Sequence, residues 1–108
     1  MPAFGQTTFP DVIKVLVGRP GEEHLYACES FCFAKMPSVF HRLLEQSIER
    51  GEDVVRLDQM SNFAWLVIYH LYVDRKNLVD LNNVYEVHAA AVSYDLFDLQ
   101  RLCLLGES

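Results

Sequence analysis

The apolar run of DVIKVLVG, Asp11 to Gly18, is rich in β-branched residues and ends in turn chemistry, which predicts a strand. RPGEE follows it. Pro20 fixes φ for the first central position of a turn and Gly21 accepts positive φ at the second, the type II arrangement. HLYAC, His24 to Cys28, then reads as the returning strand of a hairpin, with Tyr26 and Cys28 on the core face. Ser30 stands where it can cap a short helix, FCFAKM, which Pro37 ends. A second helix is expected from Ser38 to Ile48, because Val39, Phe40, Leu43, Leu44 and Ile48 form one stripe at helical spacing.

ERGED breaks that helix, and VVRL, Val54 to Leu57, reads as a short strand. Ser61 caps the next expected helix, which runs to Tyr72 and stops at the polar turn DRKN. Asn83 with Glu86 resembles a capping box opening a helix on which Val84, Val87, Ala91 and Tyr94 face one way. Asp95 or Leu96 ends it, and a last helix takes Phe97 to Leu105 before Gly106. Strands come early and helices late, the layout of an α+β domain with a small mixed sheet flanked by helical hairpins. Residues 1–10 form a short lead-in and 11–105 the single domain, a size that sustains its own core.

Composition narrows the partners. The net charge of −6 and the scatter of nine Lys and Arg residues oppose binding to a phosphate backbone. The longest apolar run, Phe63 to Tyr69, is too short to span a bilayer. Three cysteines, an odd number, in a chain whose first residues lack a secretory pattern imply free thiols in a reducing compartment, cytoplasm or nucleus.

His24, Cys28 and Cys32 stand four apart and invite a metal or thiol-redox reading. The eight-residue separation of His24 and Cys32 would be ~12 Å along a helix or ~26 Å along a strand. Ligands of one zinc ion lie ~2.0–2.3 Å from it. No Gly or Pro lies between the two to reverse the chain, so the cysteines read as small core hydrophobes and the metal site as a remote alternative. There is no nucleophile elbow and no phosphate-binding glycine loop, hence no expected cofactor and no enzyme. Tyr26, Trp65, Tyr69, Tyr72, Tyr85 and Tyr94 exceed what a small core requires; most are expected in the core or half-buried with the hydroxyl reaching solvent, and some on a partner surface, which points to a binding module.

The order and spacing of several motifs resemble the BTB/POZ family over residues 11–103. Asp11-Val12 opens the strand as the family's D-V does, and YACESFCFAKMPSVF, Tyr26 to Phe40, fits its F-x-A-H-K and S-P-x-F frame. Val55 to Leu57 and Leu71-Tyr72 match its V-x-L and hydrophobic-Tyr positions. NVYEVHAAAVSYDLFDLQRLC, Asn83 to Cys103, follows its closing N-V-x-E pattern without a gap. The resemblance implies a protein–protein interaction domain, self-associating or recruiting a protein partner. A second implied role is the substrate adaptor of a cullin-type ubiquitin ligase, in the manner of the BTB/elongin-C superfamily.

It also implies where partners bind. In transcription-factor members the opening Asp and a basic residue form a charged pocket at the dimer interface. Here Asp11 is present, Glu29 replaces the usual His and Ser30 the basic residue, and Pro37-Ser38 inverts the usual Ser-Pro. Strand-exchanging members carry an extra helix before the D-V strand. Only residues 1–10 precede Asp11, so a homo-oligomer is expected without that swap. Cullin-binding members carry a hydrophobic-x-Glu motif after the second helix, where this chain has Ile48, Glu49 and Arg50, with Arg50 at the acidic position. The expected partner surface therefore comprises Asp11, Glu29 and Ser30, together with His41, Leu44, Ile48, Glu49 and Arg50.

Overall fold

The computed structural model describes residues 10–106, so most of the lead-in at 1–10 lies outside the described residues. Three strands and five helices follow in the order β1 (Val12–Val17), β2 (His24–Glu29), α1 (Ser30–Phe33), α2 (Ser38–Glu49), β3 (Val54–Leu57), α3 (Asn62–Val73), α4 (Val84–Ser93) and α5 (Phe97–Gly106). The domain is α+β, as the sequence predicts.

β1 and β2 form an antiparallel hairpin in which Ile13 lies opposite Cys28 and Leu16 opposite Leu25. Its turn has the type II signature: the Glu22 amide donates to Arg19 O at 2.8 Å, and Gly21 has φ of +91°. β3 joins β1 in parallel, with Val15 opposite Val55, so the sheet order is β2-β1-β3. α1 and α2 supply the crossover that a parallel pair needs.

One sheet face is buried. Ile13, Val15, Val17, Cys28, Val55 and Leu57 point inward under the helices. Trp65 of α3 is 1% exposed and lies nearly perpendicular to the Phe40 ring at 6.2 Å between centroids, and Tyr94 also packs on Phe40, at 5.8 Å. Such tilted aromatic contacts add to the burial of the rings themselves. Trp65 and Tyr94 are therefore core residues and not part of an exposed aromatic surface. Tyr26, Tyr69 and Tyr72 are half-buried, and Tyr85 alone of that set is fully exposed.

Two helix ends follow one device. After α2, Gly51 has φ of +79°, its amide donates to Ile48 O at 2.9 Å and the Glu52 amide to Ser47 O at 2.8 Å. After α4, Asp95 takes φ of +56°, its amide donates to Val92 O and the Leu96 amide to Ala91 O at 2.8 Å. Both are Schellman closures, and they satisfy carbonyls that the helix leaves open. Asp95 is thus the residue that ends α4.

Three helix starts differ in how they are capped. Ser61 caps α3 as expected, its Oγ accepting the Ala64 amide at 3.2 Å. Ser30 is not a cap: Glu29 is the N-cap of α1, without a side-chain bond, and the Ser30 amide donates to Asp11 O at 2.8 Å. The hairpin ladder therefore sets the start of α1. The Asn83–Glu86 capping box is absent too. Asn83 Oδ1 accepts the Asp80 amide and its Nδ2 donates to Leu78 O, both at 2.9 Å, while Glu86 accepts from Ser61 Oγ. Loop and neighbouring helix claim the two side chains before each other.

Candidate interaction surface

The expected partner residues fall into two groups. Asp11, Glu29 and Ser30 come together at the open end of the hairpin through the Ser30-to-Asp11 backbone bond. Asp11 and Glu29 are exposed there, so this end of the hairpin carries two carboxylates and a hydroxyl with no basic partner in the Ser30 position.

The second group lies on α2. His41 is half-buried; its Nε2 lies 2.8 Å from Phe33 O and its ring 5.5 Å from the Phe33 ring, which fastens α1 to α2. Leu44 is corrected from surface to core: at 1% exposure it packs one helical turn beyond Phe40, on the same buried stripe. Ile48 is half-buried against the core. Glu49 is exposed, and Arg50 turns its guanidinium to Ser47 Oγ at 3.4 Å and Glu52 Oε1 at 3.5 Å. Glu49 has no side-chain partner among the described residues.

A further surface lies on α3 and α4. Tyr85, Ala89 and Val92 stand at i, i+4 and i+7 along the outer side of α4, with Tyr85 at 77% and Val92 at 52% exposure. Phe63, 70% exposed at the start of α3, shares with Ala89 and Glu86 the wall of a cleft of about 420 Å³. Arg19 and Glu22 of the hairpin turn close its other side. The cleft is braced from within: Ser61 Oγ donates to Glu86 Oε2 at 2.9 Å, and Tyr26 Oη donates to Asn62 Oδ1 at 2.9 Å. Phe63 and Val92 were not among the expected surface residues. The signal for Phe63 is present in composition, because NFAWLVIYHLYV is apolar on nearly every side and one buried face cannot absorb all of it.

The cysteines divide between core and margin. Cys28 and Cys103 are buried, Cys32 is half-buried, and none is in a disulfide. Burial, with the Cys32 thiol beside it, pushes the Cys28 thiol up to about 11. Burial and the neighbouring Cys32 likewise push the Tyr69 hydroxyl up to about 12. His24 is exposed on β2 while Cys28 is buried, and among the described residues no group of three His, Cys, Asp or Glu side chains is placed to hold a metal. Among the described residues, no helix is long and apolar enough to cross a membrane.

No protein-family model matches the chain, and no curated protein matches it either.

Proposed function

We propose that this chain is a protein–protein interaction domain of the BTB/POZ kind, self-associating, recruiting a protein partner, or both. The observation that carries the reading is the exposed apolar surface of Phe63, Tyr85 and Val92 on adjoining helices. Large apolar side chains left in water are unfavourable, and where they cluster on a folded domain they mark contact sites. The α+β element order and the run of family-like motifs support the choice of fold. The three cysteines, none of them in a disulfide, suit a reducing compartment, cytoplasm or nucleus.

The test is affinity capture followed by mass spectrometry, with the unmodified chain beside a Phe63→Asp, Tyr85→Glu double variant. Proteins captured by the first and lost by the second support the reading. Identical captures, together with a strict monomer at high concentration, overturn it.

A second reading is a cullin-type adaptor. It is favoured by Glu49, exposed at the end of α2, while Glu52 answers the charge of Arg50. On this reading Glu49→Lys weakens binding to a cullin amino-terminal domain. Absence of binding by the unmodified chain sinks it.

A further inference from the structure

The outer face of the sheet carries a charge pattern that is complementary to itself. Inward residues of β1 are buried, so Val12, Lys14 and Leu16 point outward, and their partners in register point the same way. The face is a grid. Glu29 and Val12 form its first row, Ala27, Lys14 and Val54 its second, and Leu25, Leu16 and Arg56 its third. Val12 is 50% and Leu25 61% exposed, Ala27 is exposed, and Leu16 and Val54 are half-buried. Glu29 and Arg56 occupy diagonally opposite corners. Neither has a side-chain partner among the described residues, whereas Lys14 at the centre is held by Asp53 at 3.1 Å.

We propose that this face receives a second copy of the chain, in a two-fold pair where Glu29 of each copy meets Arg56 of the other. The proposal rests on the self-association reading above and names its surface. A two-fold axis lying in the interface, perpendicular to the Glu29–Arg56 diagonal, exchanges the two corners and makes the ion pair twice. The same operation sets Val12 against Val54, Ala27 against Leu16 and Leu25 against its own copy, so apolar positions meet apolar ones throughout. The two Lys14 side chains approach near the axis, each already neutralised by its own Asp53. Strands of the two sheets then cross steeply, which is the orthogonal of the two ways sheets stack.

The size of the face sets the strength. Three strands at their usual spacing cover on the order of 300 Å² per copy. A stable interface buries about 800 Å² per partner. The pair is therefore dissociable and depends on concentration, and its specificity comes from the two charged corners rather than from area.

Sedimentation equilibrium of the full chain from about 10 µM to about 1 mM tests this, a range that brackets weak association. The expected result is reversible dimerisation weakened at least tenfold by Arg56→Glu and by Glu29→Arg separately. It is restored in the Glu29→Arg, Arg56→Glu double variant and in an equimolar mixture of the two single variants. Both positions are exposed and Glu29 makes no side-chain cap bond, so circular dichroism should show an unchanged fold. A dimer that ignores both single variants, or that the double variant fails to recover, overturns the sheet-face pair. If Phe63→Asp dissociates the dimer and Arg56→Glu does not, the copies meet on the helical surface and only self-association survives. A monomer at every concentration overturns both.

Discussion

Tyr94 Oη accepts the backbone amide of Gln59 at 3.1 Å, tying the end of α4 to the loop between β3 and α3. The ring is 9% exposed and packs on Phe40. Tyr94→Phe keeps that packing and removes the only part of the side chain that reaches Gln59. Losing this part-buried hydrogen bond costs about 1 kcal/mol. A thermal melt should fall by several degrees, with the far-ultraviolet spectrum unchanged. An unchanged melting temperature would show that water replaces the hydroxyl without loss.

Stability should decline on the alkaline side. Burial raises the Cys28 thiol from 9.0 to about 11 and also raises the Tyr94 and Tyr72 hydroxyls above their ordinary value. For all three the protonated form is neutral, and the folded chain holds the proton more tightly than the unfolded one. Their contribution is fully present below the unfolded value and is lost as pH rises through the folded one. The urea midpoint should therefore be flat from about pH 7 to about pH 8.5 and fall between about pH 9 and about pH 11. Cys28→Ala should flatten the first part of that fall, and a Cys28→Ala curve identical to the parent's would remove the thiol from the explanation.

The three thiols should differ in reactivity. The thiolate is the nucleophile, and Cys28 is both buried and poorly ionised near neutral pH. Cys103 is buried in the core, and Cys32 is the one with partial access to solvent. Alkylation of the native chain followed by peptide mass spectrometry should label Cys32 first, with Cys28 and Cys103 labelled only after denaturant is added. Equal labelling in the native state would contradict the placement of Cys28 inside the sheet.

Gly18 should not tolerate a side chain. It has φ of +123°, and a Cβ there would stand 2.5 Å from Glu22 O. Its amide also donates to Leu57 O at 3.0 Å, the last rung between β1 and β3. Gly18→Ala must either move the hairpin turn or break that rung, at a cost of about 2 kcal/mol or more. Gly21→Ala is the comparison: its φ is +91° but nothing lies within 4 Å of the added atom, so the loss there should be smaller. Equal losses at the two positions would mean that backbone strain, not the clash with Glu22, sets the cost.

Much of this fold can be read from local chemistry. The order of all eight elements, the Pro20-Gly21 turn, the Ser61 cap and the bounds of β3 follow from residues that act on their immediate neighbours. What was not legible depends on distant groups. Ser30 and Asn83 are good caps in isolation, but the hairpin ladder runs on to the Ser30 amide and leaves Glu29 at the N-cap position, and the Leu78–Asp80 loop occupies the Asn83 side chain. The candidate surface was less legible still. Leu44 and Phe63 are both apolar helix residues, and only the packing of the sheet under α2 makes the first a core residue and leaves the second in water. Glu29 and Arg56 lie far apart in the chain, and only the β2-β1-β3 register sets them at opposite corners of one face.

The parallel pairing of β1 with β3 has a consequence during synthesis. The hairpin of β1 and β2 can close as soon as Glu29 has left the ribosome, because its turn is local. The other edge of β1 then waits unpaired until the chain from Ser30 through Leu57 has left the ribosome as well. Over that interval Val15 and Val17 have no Val55 or Leu57 to lie beside, and the exposed edge is a template for another nascent copy on the same message. The four residues of β3 act as the latch that ends this exposure, so a translational pause that leaves β2 outside the ribosome and β3 still inside its exit tunnel should lower the soluble yield more than a pause after Leu57 has emerged.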